Sequence, residues 1–330
     1  MDRHRRTLLL APALLLPAAR AAAQPAAPPP PWLPARPVRA IVPFAPAGAT
    51  DVVARVVAET AAALLGQPIV VENRPGGAAG LIGAEAVAKA APDGHTILIN
   101  SNAHVIAPAL VARMPYDAVN DFAGVAHLGR IPQVLVVNAR LPAADMRSLL
   151  EWLRANAGRV NFAAAGIGSA NHLASEVFRA AANADVQMVQ YRGGGPAMQA
   201  VIAGEAQLCI DPVASAVGHV RGGAVRAIAV AGPTRSAVLP DVPSASEAGL
   251  PAFAAAAWVA AFAPARTPPA AIVTLNAAFE EAMRRLEPRL VELGIERQPD
   301  LATPEALMAF VRQDAARSLE VLRNAGVRPE

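Results

Sequence analysis

The stretch VRAIVPFAPAGATDVVARVVAETAAALLG, Val38 to Gly66, decides the reading of this chain. An apolar run, VRAIVPF, reads as a strand. TDVVARVVAETAAALL reads as a helix, with Gly66 placed to end it. Between them, FAPAGATD (Phe44 to Asp51) turns the strand straight into the helix start, the place where α/β proteins hold anions. Gly48 allows a tight bend, and Thr50 or Asp51 is a good N-cap. The first-turn N–H groups have no intrahelical partner, and the dipole favours an anion there by ~0.3–1 kcal/mol. The glycines and lysine of a phosphate loop are missing. Plain capping by Thr50 and Asp51 is the alternative reading of the same residues.

The pattern repeats on both sides of this unit. PIVVEN is a strand, GLIGAEAVAKAA a helix closed by PDG, and HTILIN a strand. A second series follows the strand QVLVVN. It runs through the helix DMRSLLEWLRANAG, the strand VNFAAAG, the helix NHLASEVFRAAAN and the strand VQMVQY. It continues through the helix GPAMQAVIAG, the strand AQLCID, the helix PVASAVGHVRG and the strand VRAIAVAG. Such alternation argues for parallel sheets with helices on both faces, hence two doubly wound α/β lobes. Two apolar strand-like segments, 133–138 and 257–263, bracket the second series and are read as crossings between lobes. The terminal helices PPAAIVTLNAAFEEAMRRL and TPEALMAFVRQDAARSLEVLRNAG then return to the first lobe. The expected division is 38–133 with 258–330 for lobe 1 and 134–257 for lobe 2, and a cleft between lobes is a preferred ligand site.

The N-terminus reads as a separate module. MDRHRRTLLLAPALLLPAARAAAQ has a basic start, an apolar stretch from Thr7 to Ala19 and small residues at Ala21 to Ala23. That is the layout of a signal peptide (1–23) cleaved near Ala23, and the apolar stretch is short of the ~20 residues a span needs. An uncleaved anchor is the alternative. The pair Arg5-Arg6 leaves both the general and the twin-arginine export routes open. The proline-rich segment 24–37 is expected to be an extended linker.

Export changes the charge argument. Residues 1–23 carry four arginines against Asp2, a net of +3, which equals the +3 of the whole chain. The exported part is therefore formally neutral, and the basic balance does not point to a nucleic-acid partner. Lys89 is the only lysine among 29 basic residues. Cys209 is the only cysteine, so no internal disulfide forms; in AQLCID it reads as a buried small hydrophobe.

Two further turns resemble the opening one. AAGIGSANHL (Ala164 to Leu173) bends a strand through two glycines and puts Ser169 at a helix start, with His172 about one turn on. Asp211 ends a strand just before a proline, where a carboxylate faces the ligand crevice of an open α/β sheet. Ser169, His172 and Asp211 are the residue types of a hydrolytic triad, but no G-x-S-x-G elbow surrounds Ser169. The histidines show no two-His helical spacing, so no metal site is expected. No cofactor fingerprint is present.

These blocks resemble the extracytoplasmic substrate-binding proteins of tripartite tricarboxylate transporters, the Bug or TctC-like receptors. The resemblance runs from about Arg36 to the C-terminus. It rests on VPFAPAGATD, GQPIVVENRPGGAAGLIGAEAVAKAAPDGHT, MPYDAVNDF, VNFAAAGIGSANHLASE, VQYRGGGPA, LPDVPSASEAGLP and WVAAFAPARTP.

The resemblance implies a type II periplasmic binding fold, with two lobes joined by two crossing strands and a ligand cleft between. It implies a periplasmic receptor, not an enzyme, that binds a small carboxylic acid as a monomer without cofactor and passes it to membrane components of the transporter. Phe44, Gly48, Ala49, Thr50 and Asp51 would form one jaw, and Gly166, Ser169 and His172 the other. Asp211 would meet a polar or cationic group on the distal part of the ligand, and Ser101, Asn102 and Tyr191 would line the cleft. The Asp51 carboxylate is expected to turn back onto the helix N–H groups. Departures from the family pattern are Ala47 and Ala49 beside Gly48, Phe162 and Ala164 in place of a phenol and a hydroxyl, and His95 in place of a tyrosine. The lost hydroxyls suggest a less polar ligand end. A secreted hydrolase using Ser169 and His172, and a receptor feeding a sensor, are the competing readings.

Overall fold

The computed structural model describes residues 32–46 and 48–329. The expected leader, most of the proline-rich linker, and Ala47 lie outside the described residues. Trp32, within the stretch expected as linker, packs against the first core, and its carbonyl accepts a bond from Thr274 Oγ1 at 2.9 Å.

The first lobe is built on β1 (Val38–Val42), β2 (Ile69–Asn73) and β3 (Thr96–Ser101), all parallel, in the order β2-β1-β3. Helix α1 (Ala49–Leu65) buries Val53, Ala54, Val57, Ala58, Ala61 and Leu65. This i, i+3/i+4 stripe is the one the opening sequence predicts, and Gly66 in the left-handed conformation ends it. α2 (Leu81–Ala88) covers the opposite face. α3 (Ala103–Leu110) follows β3 directly and is not anticipated from the sequence, because Pro108 sits inside it. Pro108 has no N–H to donate to the His104 carbonyl, yet the helix still closes with Val111 N–H donating to the Ala107 carbonyl at 3.1 Å.

The connection between lobes differs from expectation. The segment expected as a strand over 133–138 is the second half of a 17-residue strand, β4 (Phe122–Asn138). Its first half, FAGVAHLGRIP, lacks a readable alternation because two bulges shift its register, at Gly124/Ala126 and His127/Gly129. The last expected strand is β9 (Ala256–Pro264). Rather than crossing, it begins opposite Pro132 and lies wholly in the first sheet, between β3 and β4.

Beyond Gln133, β4 enters the second sheet, where β7 (Leu208–Pro212) and β8 (Val225–Val230) pair with it antiparallel. β5 (Asn161–Ala164) and β6 (Gln187–Gln190) continue that sheet in parallel with β7. Its faces are covered by α4 (Met146–Ala155) with α5 (Ala170–Ala182), and by α6 (Gly194–Ala203) with α7 (Val213–Arg221). The C-terminal helices α8 (Pro269–Glu292) and α9 (Pro304–Asn324) return to opposite faces of the first sheet. No helix among the described residues is long and apolar enough to cross a membrane.

Strand directions fix where a ligand can sit. β3 and β4 are both antiparallel to β9, so β3 points toward the second lobe. β7 is antiparallel to β4, so β5, β6 and β7 point toward the first. The C-terminal ends of both parallel sets therefore face one another. Ser101 lies opposite Val259, which lies opposite Gly129, and Asp211 lies opposite Val134. Five residues of β4 separate those levels, about 16 Å at the usual strand rise.

Candidate functional site

The first set of facing groups lies where β1 runs into α1. The helix cap is Gly48, with no side-chain cap bond, which corrects the expectation that Thr50 or Asp51 caps it. Those two occupy the first turn and are buried. Gly48 has φ −73° and ψ 163°, extended backbone open to any residue, so the bend does not need glycine there. Ala49 is the first helical residue, where alanine is unstrained.

Asp51 is 2 % exposed, and its carboxylate accepts from Arg55 Nε at 3.0 Å and Asn73 Nδ2 at 2.9 Å. Asn73 also donates to the Phe44 carbonyl at 3.0 Å and accepts from Arg55 Nη2 at 2.8 Å. The end of β2 thus ties the loop to the helix. Phe44 itself is half-buried against the first core. The following segment, through Gly80 and Gly83, presses on the loop from the other side. A Cβ at either would lie 2.7 Å from Pro43 Cβ, and Gly80 has φ +78°. Neither Asn73 nor Arg55 is anticipated as a site residue. Asn73 is the polar residue at a parallel strand's C-terminal end, the same signal that marks Ser101.

At the end of β3, Ser101 Oγ accepts from Ala103 N–H at 3.3 Å. Asn102 starts α3 and is 2 % exposed. Both help form the start of α3.

The second set begins at the end of β5. Gly166 has φ +111° and stands beside the Tyr191 carbonyl, while Tyr191 N–H donates to the Ala164 carbonyl at 2.8 Å. Ser169 caps α5, its Oγ accepting from His172 N–H at 3.0 Å. The His172 ring faces elsewhere. Nδ1 accepts from Gly168 N–H at 3.3 Å, and Nε2 lies 3.7 Å from Glu176 Oε1. Burial, opposed by Glu176 and joined by Arg179, holds the imidazole below its usual range. A neutral ring with Nδ1 as acceptor fixes the loop and does not reach Ser169 Oγ, so the pair lacks the hydrogen bond of a nucleophile and its base.

Asp211 closes the set. It accepts from Asn171 Nδ2 at 2.8 Å and from Ser215 Oγ. Burial raises its pKa, against the lowering effect of those two bonds and of His219. These residues, with Gly194 and Met198, line a cavity of about 310 Å³. Asn171 and Ser215 are partners that the sequence reading does not single out.

Three departures from the family pattern acquire a position. Phe162 is fully buried and packs on Phe178 at 5.9 Å between ring centroids, and Ala164 is likewise buried. His95 precedes β3, at the end of the strand away from the facing loops, with its ring against Trp32. Phe162 and His95 are core and scaffold residues, so they carry no information on ligand polarity.

The chain matches the Tripartite tricarboxylate transporter family receptor, TctC, over residues 53–327. Protein BugT of Bordetella pertussis is 38% identical over 300 residues, covering 89% of this chain and 91% of that protein. Among solved structures, MatC from Rhodopseudomonas palustris with bound malate is 36% identical. Its TM-score is 0.73, and the match covers 88% of this chain and 100% of that one. A second R. palustris protein, solved with adipate, is 30% identical with a TM-score of 0.76, covering 90% and 99%. The two-lobed α/β architecture is the type II periplasmic binding fold, and the family and its solved neighbours are substrate-binding receptors rather than enzymes. The chain belongs to the TctC, or Bug, family of periplasmic solute-binding receptors.

Proposed function

We propose that this chain binds a small carboxylic acid between its lobes and delivers it to the membrane components of a tripartite tricarboxylate-type transporter. The observation that carries this reading is the pair of helix starts, α1 and α5, at facing strand ends of opposed sheets. A carboxylate between them would meet first-turn N–H groups from Gly48, Ala49 and Thr50 on one side and the Gly166–Ser169 loop on the other. Charge-assisted bonds of this kind contribute about 1.5–3 kcal/mol each. In this reading Asp51 and His172 position the two loops, Phe44 walls the first, and Ser101, Asn102 and Tyr191 line the cleft. Asp211 orients Asn171 and Ser215 toward the ligand's distal end. Relatives of the same fold solved with malate and adipate support a small carboxylate as the ligand class.

The lobes divide at 133/134 and again just ahead of β9, so the expected second boundary at 257/258 moves to its first residue, Ala256. The receptor acts as a monomer in the periplasm after its leader is removed near Ala23. Binding favours the closed form through contacts that both lobes make at once.

The test is a thermal-shift screen of the purified chain against mono-, di- and tricarboxylic acids. A ligand at a thousand times its Kd adds about 4.1 kcal/mol of stability. If no acid raises the Tm and none co-purifies, the reading fails. Turnover of ester substrates without saturable binding would favour the hydrolase instead.

A further inference from the structure

Leu110 ends α3 in the first lobe, and its Cδ1 lies over the backbone of Gly168 in the second. A Cβ on Gly168, which has φ +76°, would sit 2.2 Å from that methyl. The contact extends into a buried aliphatic cluster of Ile106 and Ala109 from α3, Leu173 from the first turn of α5, and Leu322 from α9. Leu319, Val321 and Val327 pack at its edge. Ile106 and Leu322 are fully buried. Beyond the cluster the lobes part along an open groove of about 610 Å³, with Ala78 and Leu110 on one wall and Ile167, His172 and Glu176 on the other.

We propose that this cluster is an apolar latch that holds the second jaw against the first lobe, with Leu110 as a positioning residue for the clamp. The proposal rests on the two-lobed receptor reading above. Leu173 and Gly168 belong to the loop and helix that present Ser169, while Ile106, Leu110 and Leu322 stand on the first lobe. Widening the cleft by rotation about the β4 crossing pulls these groups apart. A gap of even 0.5–1 Å forfeits about a quarter to a half of each dispersion contact, and a wider one returns the aliphatic surface to water. The latch therefore favours closure by a contribution the ligand does not supply. Apparent affinity scales with the fraction of molecules in the binding-competent arrangement, so loosening the latch weakens binding without removing a ligand contact.

The first readout needs no ligand. Small-angle scattering of the parent should give a radius of gyration of about 20 Å. Leu110→Ala should enlarge it and speed amide exchange over 164–169, while Leu110→Met, which keeps the volume, should match the parent. Gly168→Ala should act in the same direction as Leu110→Ala, and the two should be non-additive when combined.

The second readout uses whichever acid the thermal-shift screen identifies, for which Leu110→Ala should weaken binding roughly tenfold. If Leu110→Ala does not fold, Leu110→Val serves for the same comparison. A folded variant with parental radius and exchange overturns the latch, whatever the receptor binds. If no acid stabilises the parent but Leu110→Ala still opens, the ligand reading fails and the latch stands.

Discussion

Asn73 offers the sharpest test of how the first jaw is held. Its amide donates to the Phe44 carbonyl and to the Asp51 carboxylate, and its oxygen accepts from Arg55. Asn73→Ala removes all three bonds. The neutral bond to Phe44 is worth about 1 kcal/mol net, and the bond to the buried carboxylate about 1.5–3 kcal/mol. Arg55 is half exposed and recovers its bond in water, so its contribution is close to zero. The expected loss is about 3 kcal/mol. For ~300 folded residues the unfolding entropy is about 0.6 kcal/mol/K, so the Tm should fall by about 5 °C. Because the same bonds fix the loop entering α1, affinity for an identified acid should fall as well. Asn73→Asp should be worse at neutral pH, since it sets a second carboxylate against Asp51 and can donate to neither partner. Thermal melts of both variants at pH 7, with calorimetric titration, decide the matter. An Asn73→Ala protein with a Tm within 1 °C of the parent and unchanged affinity would refute the reasoning.

Ser169→Ala should cost about 1 kcal/mol through the lost cap of α5 and should weaken ligand binding, read by the same two assays. His104 is fully buried among Tyr116, Phe122 and Phe262, and desolvation holds its pKa down to about 4; His127 is lowered similarly, also by burial. Between pH ~6.5 and ~4 the unfolded chain binds these protons and the folded chain does not, so stability should fall as the pH drops through that window. Denaturant titrations at several pH values should show His104→Phe flattening the slope. Arg130 donates to Glu296 at 2.7 Å and to the Ala231 carbonyl at 3.2 Å, bridging the lobes beside the crossing of β4. Arg130→Met should lower the Tm by a few degrees, because it leaves the part-buried Glu296 without its cation.

Much of the fold is legible because its elements are defined locally. α1 carries an uninterrupted apolar stripe and a terminal glycine, and β1, β3 and β7 are short apolar runs bounded by turn residues. The misreadings occur where local rules are broken. The first half of β4 holds Gly124, Gly129 and two bulges, so its alternation slips twice within eleven residues. α3 contains a proline. β9 is a clear strand, but nothing within it says that it pairs with β3 rather than crossing, since both fates bury a continuous apolar run.

The facing loops were legible for a different reason: a strand ending in glycines and small polar residues just before a helix leaves main-chain N–H groups exposed wherever it occurs. What holds those loops was not. Asn73 reaches Phe44 and Asp51 across more than twenty residues, Asn171 reaches Asp211 across forty, and Leu110 reaches Gly168 from the other lobe. Each partner has an adequate local explanation of its own, as a turn asparagine, a helix-start residue or a helix-end leucine. Only the chain's return places them together. A clamp made largely of backbone donors needs such supports more than one made of long side chains. A main-chain N–H cannot swing to follow its ligand, so selectivity depends on where the loop is held as much as on which residues it contains. The two alanine-for-glycine departures illustrate this. Ala49 lies in a helical turn where alanine is at no disadvantage, whereas the position of the whole loop is set by Asn73 and by the close approach of Gly80 and Gly83 to Pro43.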